Sequence, residues 1–411
     1  MNLLRKILGM VCLFLLPLGV RAQGTSVTDK KPSLAERNAL QGFNDTIDRL
    51  AEDFITVSLV VCDPGDVLYS TLGHAALHLY CRPFDRDYIY TYEGESVTDK
   101  IWKFLKGDLK MGMIFMEPKE FISAYIKDGR GVKEYKLNLS PIQEQKLWRV
   151  MDKHAAEGLN LPYDYFHNGC VTSIVNIMHE ALGKNAIHYA PWSEKYTKHT
   201  MREVGCAPVP SYSWNLFVSY FLIGTDADKP CPNEQKLIVP TDLVEVWQQA
   251  TLANGKPVLE KTANVLCKSS MNTKHIWCSP LLVCMLFFIL SLCSISTMWI
   301  KNNVWQIAGN IIDVIIVVII TLTGTLMTYL ICFSHLPCTT WNWLIVPFNI
   351  LPALAWYWRK YWALPLAILL TIWSIVMAGE WIWGHMLVDW PHILLTMAFT
   401  VVMMKQYLKT K

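Results

Sequence analysis

The sequence predicts an α+β soluble domain followed by an all-α bundle of about five membrane helices. Three observations carry that prediction. The chain opens on a short basic stretch followed by an apolar run. Charged residues nearly vanish beyond Leu281, and from there Lys and Arg recur only in every second loop.

The N-terminus places Arg5 and Lys6 before an apolar run from Ile7 to Val20, with small residues around Ala22. That pattern is a secretory signal peptide, cut near Ala22. The apolar run is short for a hydrocarbon core of ~30 Å. Cys12 lies inside it rather than after the cut, so a lipoprotein is not expected. Residues 1–22 are therefore assigned to the signal, 23–275 to a domain outside the cytoplasm, 280–404 to the membrane and 405–411 to a cytoplasmic tail. The hydrophobic fraction of 52% and the net charge of +3 average two unlike regions. No repeat, Gly-rich phosphate loop or basic patch appears, so no nucleic-acid partner is expected.

In the soluble half, Gly73 precedes a buried-strand pattern from His74 to Tyr80, a turn through Arg82-Pro83-Phe84-Asp85, and a second strand from Tyr88 to Glu93. Pairing Tyr80 near Tyr88 sets His74 across from Glu93 in one register; a slip would substitute Tyr92 or Gly94. A carboxylate beside an imidazole fixes its tautomer and steadies its charge. Further on, Val171, Ile174, Val175, Met178 and Leu182 repeat at helical spacing until Gly183. Cys170 thus stands at the first turn of a buried helix, where amides and the helix dipole favour a thiolate and can hold an oxyanion. A Cys at a helix start and a His on a strand suit thiol nucleophilic catalysis. His74 and His78 share a strand face, so metal binding with His167 is an alternative, as is plain structural use. His188 and His199 have no supporting pattern.

Candidate spans are 280–300, 304–331, 344–358, 362–379 and 392–404. Lys301, Arg359, Lys360, Lys405, Lys409 and Lys411 follow spans one, three and five, which orients the bundle and leaves residues 23–275 outside. The signal peptide demands the same side. Asp313 falls within the second span, where a carboxyl is functional or held by a structural hydrogen bond. His335, Asn342, Glu380, His385, Asp389 and His392 are candidates for headgroup or acceptor binding on the outer rim, beside a plainer interfacial role. Cysteine number is odd outside the membrane (Cys62, Cys81, Cys170, Cys206, Cys231, Cys267, Cys278), so at least one thiol should be unpaired unless chains cross-link. Cys206 with Cys231 is a plausible bridge.

The Gly73-His74-Ala75 strand, Tyr92-Glu93-Gly94 and Tyr163-Asp164-Tyr165 leading into Cys170-Val171-Thr172 resemble the Lnb family of bacterial lipoprotein N-acyltransferases. Gly129-Arg130-Gly131-Val132 with Leu137-Asn138-Leu139, and the run from His335 to Asn342, extend the resemblance. Where that family carries an Asp-Asn pair before the cysteine and an arginine soon after it, this chain has Asn168-Gly169 and Ser173. The resemblance implies a circularly permuted NlpC-type, papain-like fold, with His before Cys, and a catalytic set of Cys170, His74 and Glu93, with Tyr92 or His78 as other third members. It also implies a multi-pass protein of the inner membrane. Its substrates would be a phospholipid acyl donor and an apolipoprotein acceptor, with no metal or cofactor. A bundle of spans is more than an anchor requires, which suggests that membrane lipid supplies the substrate. A membrane-tethered peptidoglycan peptidase or amidase using the same residues is the alternative enzyme, and a non-catalytic complex subunit the third reading.

Overall fold

The computed structural model describes residues 54–97, 99–270, 278–349 and 351–411. The expected signal peptide, with Cys12, lies outside the described residues. The chain divides into two compact units. One comprises Gln23–Pro208 and Asp228–Thr273; the other includes Val209–Ala227 and Lys274–Lys411.

The first unit is built on a seven-stranded antiparallel sheet in the order β6-β4-β3-β2-β1-β5-β7. Its strands are β1 (Ile55–Cys62), β2 (His74–Cys81), β3 (Arg86–Gly94), β4 (Lys110–Met116), β5 (Val132–Lys136), β6 (Leu161–Pro162) and β7 (Asn264–Cys267). The helices that position the site are α1 (Ile101–Lys106), α2 (Pro118–Lys127), α3 (Pro141–Glu157), α4 (Cys170–Leu182) and α5 (Pro240–Gln249). Alternation along the central strands divides their side chains between two faces. Val57, Leu59, Val61, Leu77 and Tyr90 pack with Trp148, Met151, Ile174, Met178 and Trp247 from α3, α4 and α5. Val60, Cys62, Ala76 and Ile89 pack with Phe121 of α2 and Val132. The sheet is thus buried on both faces. That is why β1 and β2 read as nearly continuous apolar runs rather than as a strict alternation.

The hairpin β2–β3 pairs Tyr80 with Asp87, Leu79 with Tyr88 and Ala76 with Thr91. Continued two residues, this register sets His74 across from Glu93. The turn is made by a short 3-10 stretch, Arg82–Phe84, closed by Asp85 at φ 49°. At the other end of β2, Gly73 adopts φ 86°, and an added Cβ would stand 2.6 Å from the Cys62 carbonyl oxygen. Only glycine fits there. Close approach also defines Gly112 of β4, where a Cβ would lie 2.1 Å from the Gly158 oxygen.

In the second unit, α6 (Pro280–Ser296), α7 (Asn303–Phe333), α8 (Arg359–Ile382) and α9 (Trp390–Thr410) carry the core. Ile316, Ile320, Leu370, Trp373, Phe399 and Met403 fill it. Among the described residues, three helices are long and apolar enough to cross a membrane: Pro280–Trp299, Asn303–Phe333 and Arg359–Ile382. The expected five spans differ at two places. Residues 344–358 do not form one helix: a 3-10 turn, Trp343–Ile345, is followed by the seven-residue helix Leu351–Tyr357. Pro347 and Pro352 remove helix donors within that stretch. Residues 392–404 lie inside α9, whose buried His392, Lys405 and Gln406 make it less apolar than the other three.

Lys405 also corrects the charge count used for orientation. It is 1% exposed and pairs with Asp313 at 2.8 Å, so it does not serve as a loop charge. Ser294 of α6 donates to Asp313 at 2.6 Å, Lys405 donates to Ser294 at 2.6 Å, and Gln406 donates to Asp313 at 3.2 Å. Asp313 is therefore a structural ion-pair member joining α6, α7 and α9.

The inserted segment Val209–Ala227 belongs to this second unit although both its neighbours in sequence belong to the first. Its helix, Trp214–Leu222, buries Phe217 and Tyr220 among the membrane-type side chains. Ser213 accepts from the Leu216 amide at 3.1 Å and caps its start. Its last carbonyls are met by Asn342, which donates to Tyr220 and Ile223 at 2.6 and 2.9 Å, and by the Thr339 hydroxyl on Leu222 at 2.8 Å.

Candidate functional site

Cys170 is the first residue of α4, with Gly169 as N-cap. The loop leading to it is shaped by Asp164. One carboxylate oxygen accepts from the amides of Phe166 and His167 at 2.9 and 3.1 Å, and the other pairs with the His167 ring at 3.0 Å. Asn168 donates to the Pro162 carbonyl at 2.9 Å. These local bonds fix where the helix begins, as short polar side chains do before helices. Three backbone amides address the Cys170 sulfur: those of Ala75, Val171 and Cys170 itself. The Ala75 contact seats the thiol against the first residues of β2, beside His74 in sequence.

His74 lies on the α2 side of the sheet, with its ring 6.5 Å from Tyr125 and 6.4 Å from Phe121, centroid to centroid. Cys170 begins a helix on the other side. His74 and Cys170 thus belong to opposite faces of the sheet, linked through the start of β2, where the Ala75 amide meets the sulfur. His74 Nε2 is paired with the Thr91 hydroxyl at 2.5 Å. Thr91 sits two residues from Glu93 on the same face of β3, so strand alternation alone could have nominated it.

Burial dominates the protonation of this cluster. It pushes the Cys170 thiol above its ordinary value of 9.0, although the three amides and the Arg130 charge pull the other way. The thiolate expected from the helix start is thus outweighed by loss of solvation. Burial, with Arg130 adding to it, lowers His74 to about 3, so the imidazole is neutral at pH 7. Burial also raises the Glu93 carboxyl to about 7. At rest Cys170 is a thiol and His74 a neutral imidazole.

The other sequence candidates are engaged elsewhere. Tyr92 points to the α3 face, where its hydroxyl meets His154 Nδ1 at 2.7 Å. His78 lies between Glu134 and Asp87, each at 2.6 Å; burial disfavours its charge, but the two carboxylates outweigh it and raise the imidazole above its ordinary value. His167 is paired with Asp164 and largely exposed. Cys206 and Cys231 are not joined by a disulfide, so the bridge suggested by the sequence is not formed. In the second unit, Asn342 is buried on the inserted helix, and His392 stacks on Phe217 at 4.2 Å. Asp389 caps α9 by accepting from Trp390 at 2.8 Å. Glu380 and His385 pair with each other at 2.9 Å. Asn342, Asp389 and His392 therefore hold structure together.

Two residues of the site carried no chemical expectation. Tyr125 bonds the buried Cys62 thiol and stacks near His74. Arg130 is buried between Gly129 and Gly131, with its guanidinium 4.6 Å from the centre of the Tyr125 ring. Its charge acts on Cys170, His74 and Cys62 together.

Residues 43–202 match the family model described as the Lnb N-terminal periplasmic domain. No curated protein and no solved structure matches the chain.

Proposed function

We propose that this protein, whose residues 43–202 match the Lnb N-terminal periplasmic domain and which carries three helices apolar enough to cross a membrane, is a lipoprotein N-acyltransferase of the inner membrane. The observation that supports this reading most is the placement of Cys170. A thiol at a helix start, addressed by three backbone amides, one of them from Ala75 directly after the neutral His74, suits acyl transfer.

In this reading His74 takes the Cys170 proton as the sulfur attacks an acyl ester carbonyl of a membrane phospholipid. The amides that address the sulfur stabilise the oxyanion of the tetrahedral intermediate. Collapse breaks the ester C–O bond, and the imidazolium returns its proton to the departing lysophospholipid oxygen. A thioester remains on Cys170. The α-amino group of a diacylglyceryl-cysteine at an apolipoprotein N-terminus then attacks that thioester. It forms an amide and loses a proton, and the thiol is restored. A neutral resting histidine suits this sequence, because it can accept a proton only while unprotonated. Thr91 positions the ring, and Glu93, across the hairpin, is the carboxyl nearest in register.

The test is mass spectrometry of lipoprotein N-termini from cells whose only copy carries Cys170→Ser. N-acylation is expected to disappear, and His74→Ala to lower turnover by about 10²–10⁴-fold. Full N-acylation in the Cys170→Ser strain would exclude the transferase. Altered muropeptides there would instead favour hydrolysis of cell-wall peptides.

A further inference from the structure

Arg130 is 6% exposed, and two contacts fix its guanidinium: Nε donates to the Asp63 carbonyl at 2.8 Å, and the group lies over the Tyr125 ring at 4.6 Å. Nη2 is buried and has no hydrogen-bond partner among the described residues. A charged donor left unsatisfied in the interior is expensive, more so than a neutral one. The local chain is nonetheless built to hold it. Gly129 takes φ 71°, and a Cβ on Gly131 would meet the Asp63 carboxylate at 2.4 Å. These glycines bring Arg130 against the strand ends that carry Cys62 and His74.

We propose that Arg130 is an anion-binding residue of the site, receiving at Nη2 a phosphate oxygen of the acyl donor while the donor's ester lies against Cys170. The inference rests on the acyl-transfer reading and adds to it the group that recognises the donor. A planar guanidinium held at Nε and at its π face presents its remaining N–H groups in one direction, and phosphate oxygens are its natural acceptors. A glycerophospholipid carries its phosphodiester only a few bonds from each acyl ester. No bond is made or broken at Arg130, which touches only the substrate's phosphate.

Two alkylating agents read the charge at Cys170 directly. Iodoacetate and iodoacetamide both react with the thiolate, so the ratio of their rates cancels any change in thiol ionisation and reports local charge. With the full chain in detergent and the Cys170 peptide quantified by mass spectrometry, the iodoacetate-to-iodoacetamide ratio should be about tenfold higher in wild type than in Arg130→Gln. Arg130→Lys should retain part of the preference. On the wild-type protein, sn-glycero-3-phosphoethanolamine should slow alkylation at lower concentration than inorganic phosphate does. Equal ratios in wild type and Arg130→Gln would overturn the anion site while leaving the thiol reading in place. Inorganic phosphate protecting as well as the diester, or no protection by the diester, would overturn the assignment to the donor. Because the competition uses the native chain, it decides even where Arg130→Gln does not fold. If neither reagent labels Cys170, the acyl-transfer reading falls, and this inference with it.

Discussion

At the scale of single residues, burial sets the protonation of the site more strongly than neighbouring dipoles do. Cys170 has the helix start and three amides in its favour, yet its thiol is raised. His74 is lowered to about 3 and Glu93 raised to about 7 by the same cause acting on opposite charge types. Glu93 gives a sign that can be checked. Its folded value lies above the ordinary 4.5, so the fold favours the protonated carboxyl. That contribution is fully present below pH 4.5 and is lost as pH rises through about 7. Between pH 5 and 8, the thermal midpoint of the full chain in detergent should fall for wild type and stay flatter for Glu93→Gln. The difference at pH 8 should be on the order of 2 kcal/mol in favour of the variant. A midpoint that moves equally in both proteins would reject this account. His74 acts in the other direction: its neutral form is favoured, so stability is lost as pH falls from about 6.5 towards 3.

At the scale of elements, β2 owes its starting point to Gly73. The positive φ and the 2.6 Å approach to the Cys62 oxygen leave no room for a side chain. Gly73→Ala must shift the backbone immediately before His74. A strained left-handed residue costs about 1–3 kcal/mol, and a displacement of about 1 Å at a reacting group can lower turnover by about 10²-fold. On the proposed function both losses are expected together, measured by the urea midpoint and by N-acylation. Unchanged turnover at reduced stability would show that Gly73 serves the fold alone. The register of β2 against β3 belongs to the same scale. It was readable as one of three possibilities from the turn and the apolar pattern, and Tyr80 opposite Asp87 selects the one that faces Glu93 to His74.

At the scale of the whole molecule, two arrangements depend on residues far apart in sequence. Arg202 and Asp228 form a bidentate pair at 2.8 and 2.9 Å, closing the chain on either side of the excursion Val209–Ala227. In the second unit, the buried pair Asp313–Lys405 joins α7 to α9. Removing one partner leaves an uncompensated buried charge. Lys405→Met should therefore destabilise that unit by about 3–5 kcal/mol, whereas Asp313→Leu with Lys405→Met should recover most of the loss. Thermal unfolding of the two variants in the same detergent measures the difference. A double variant as unstable as the single one would mean that the ion pair itself, not the orphaned charge, is what matters.

The sequence by itself determined the features that depend on local pattern. The compositional break near residue 280, the hairpin after Gly73, and the helix that begins at Cys170 follow from hydrophobic period, turn residues and glycine stops, which act over a few neighbours. It also placed His74 and Cys170 on elements whose ends could meet. Tertiary structure decided what depends on contacts between distant segments. The match of Thr91 to His74 needed the strand register in space. The burial that raises one group and lowers another needed both faces of the sheet to be covered. Arg130 was visible within the Gly129-Arg130-Gly131-Val132 run but carried no chemical role there, because its meaning lies in the Asp63 carbonyl and the Tyr125 ring. Lys405 read as a loop charge because its partner, Asp313, lies on a different helix. Residues 209–227 read as part of the soluble domain because their apolar helix is short, and only packing reveals the core it joins.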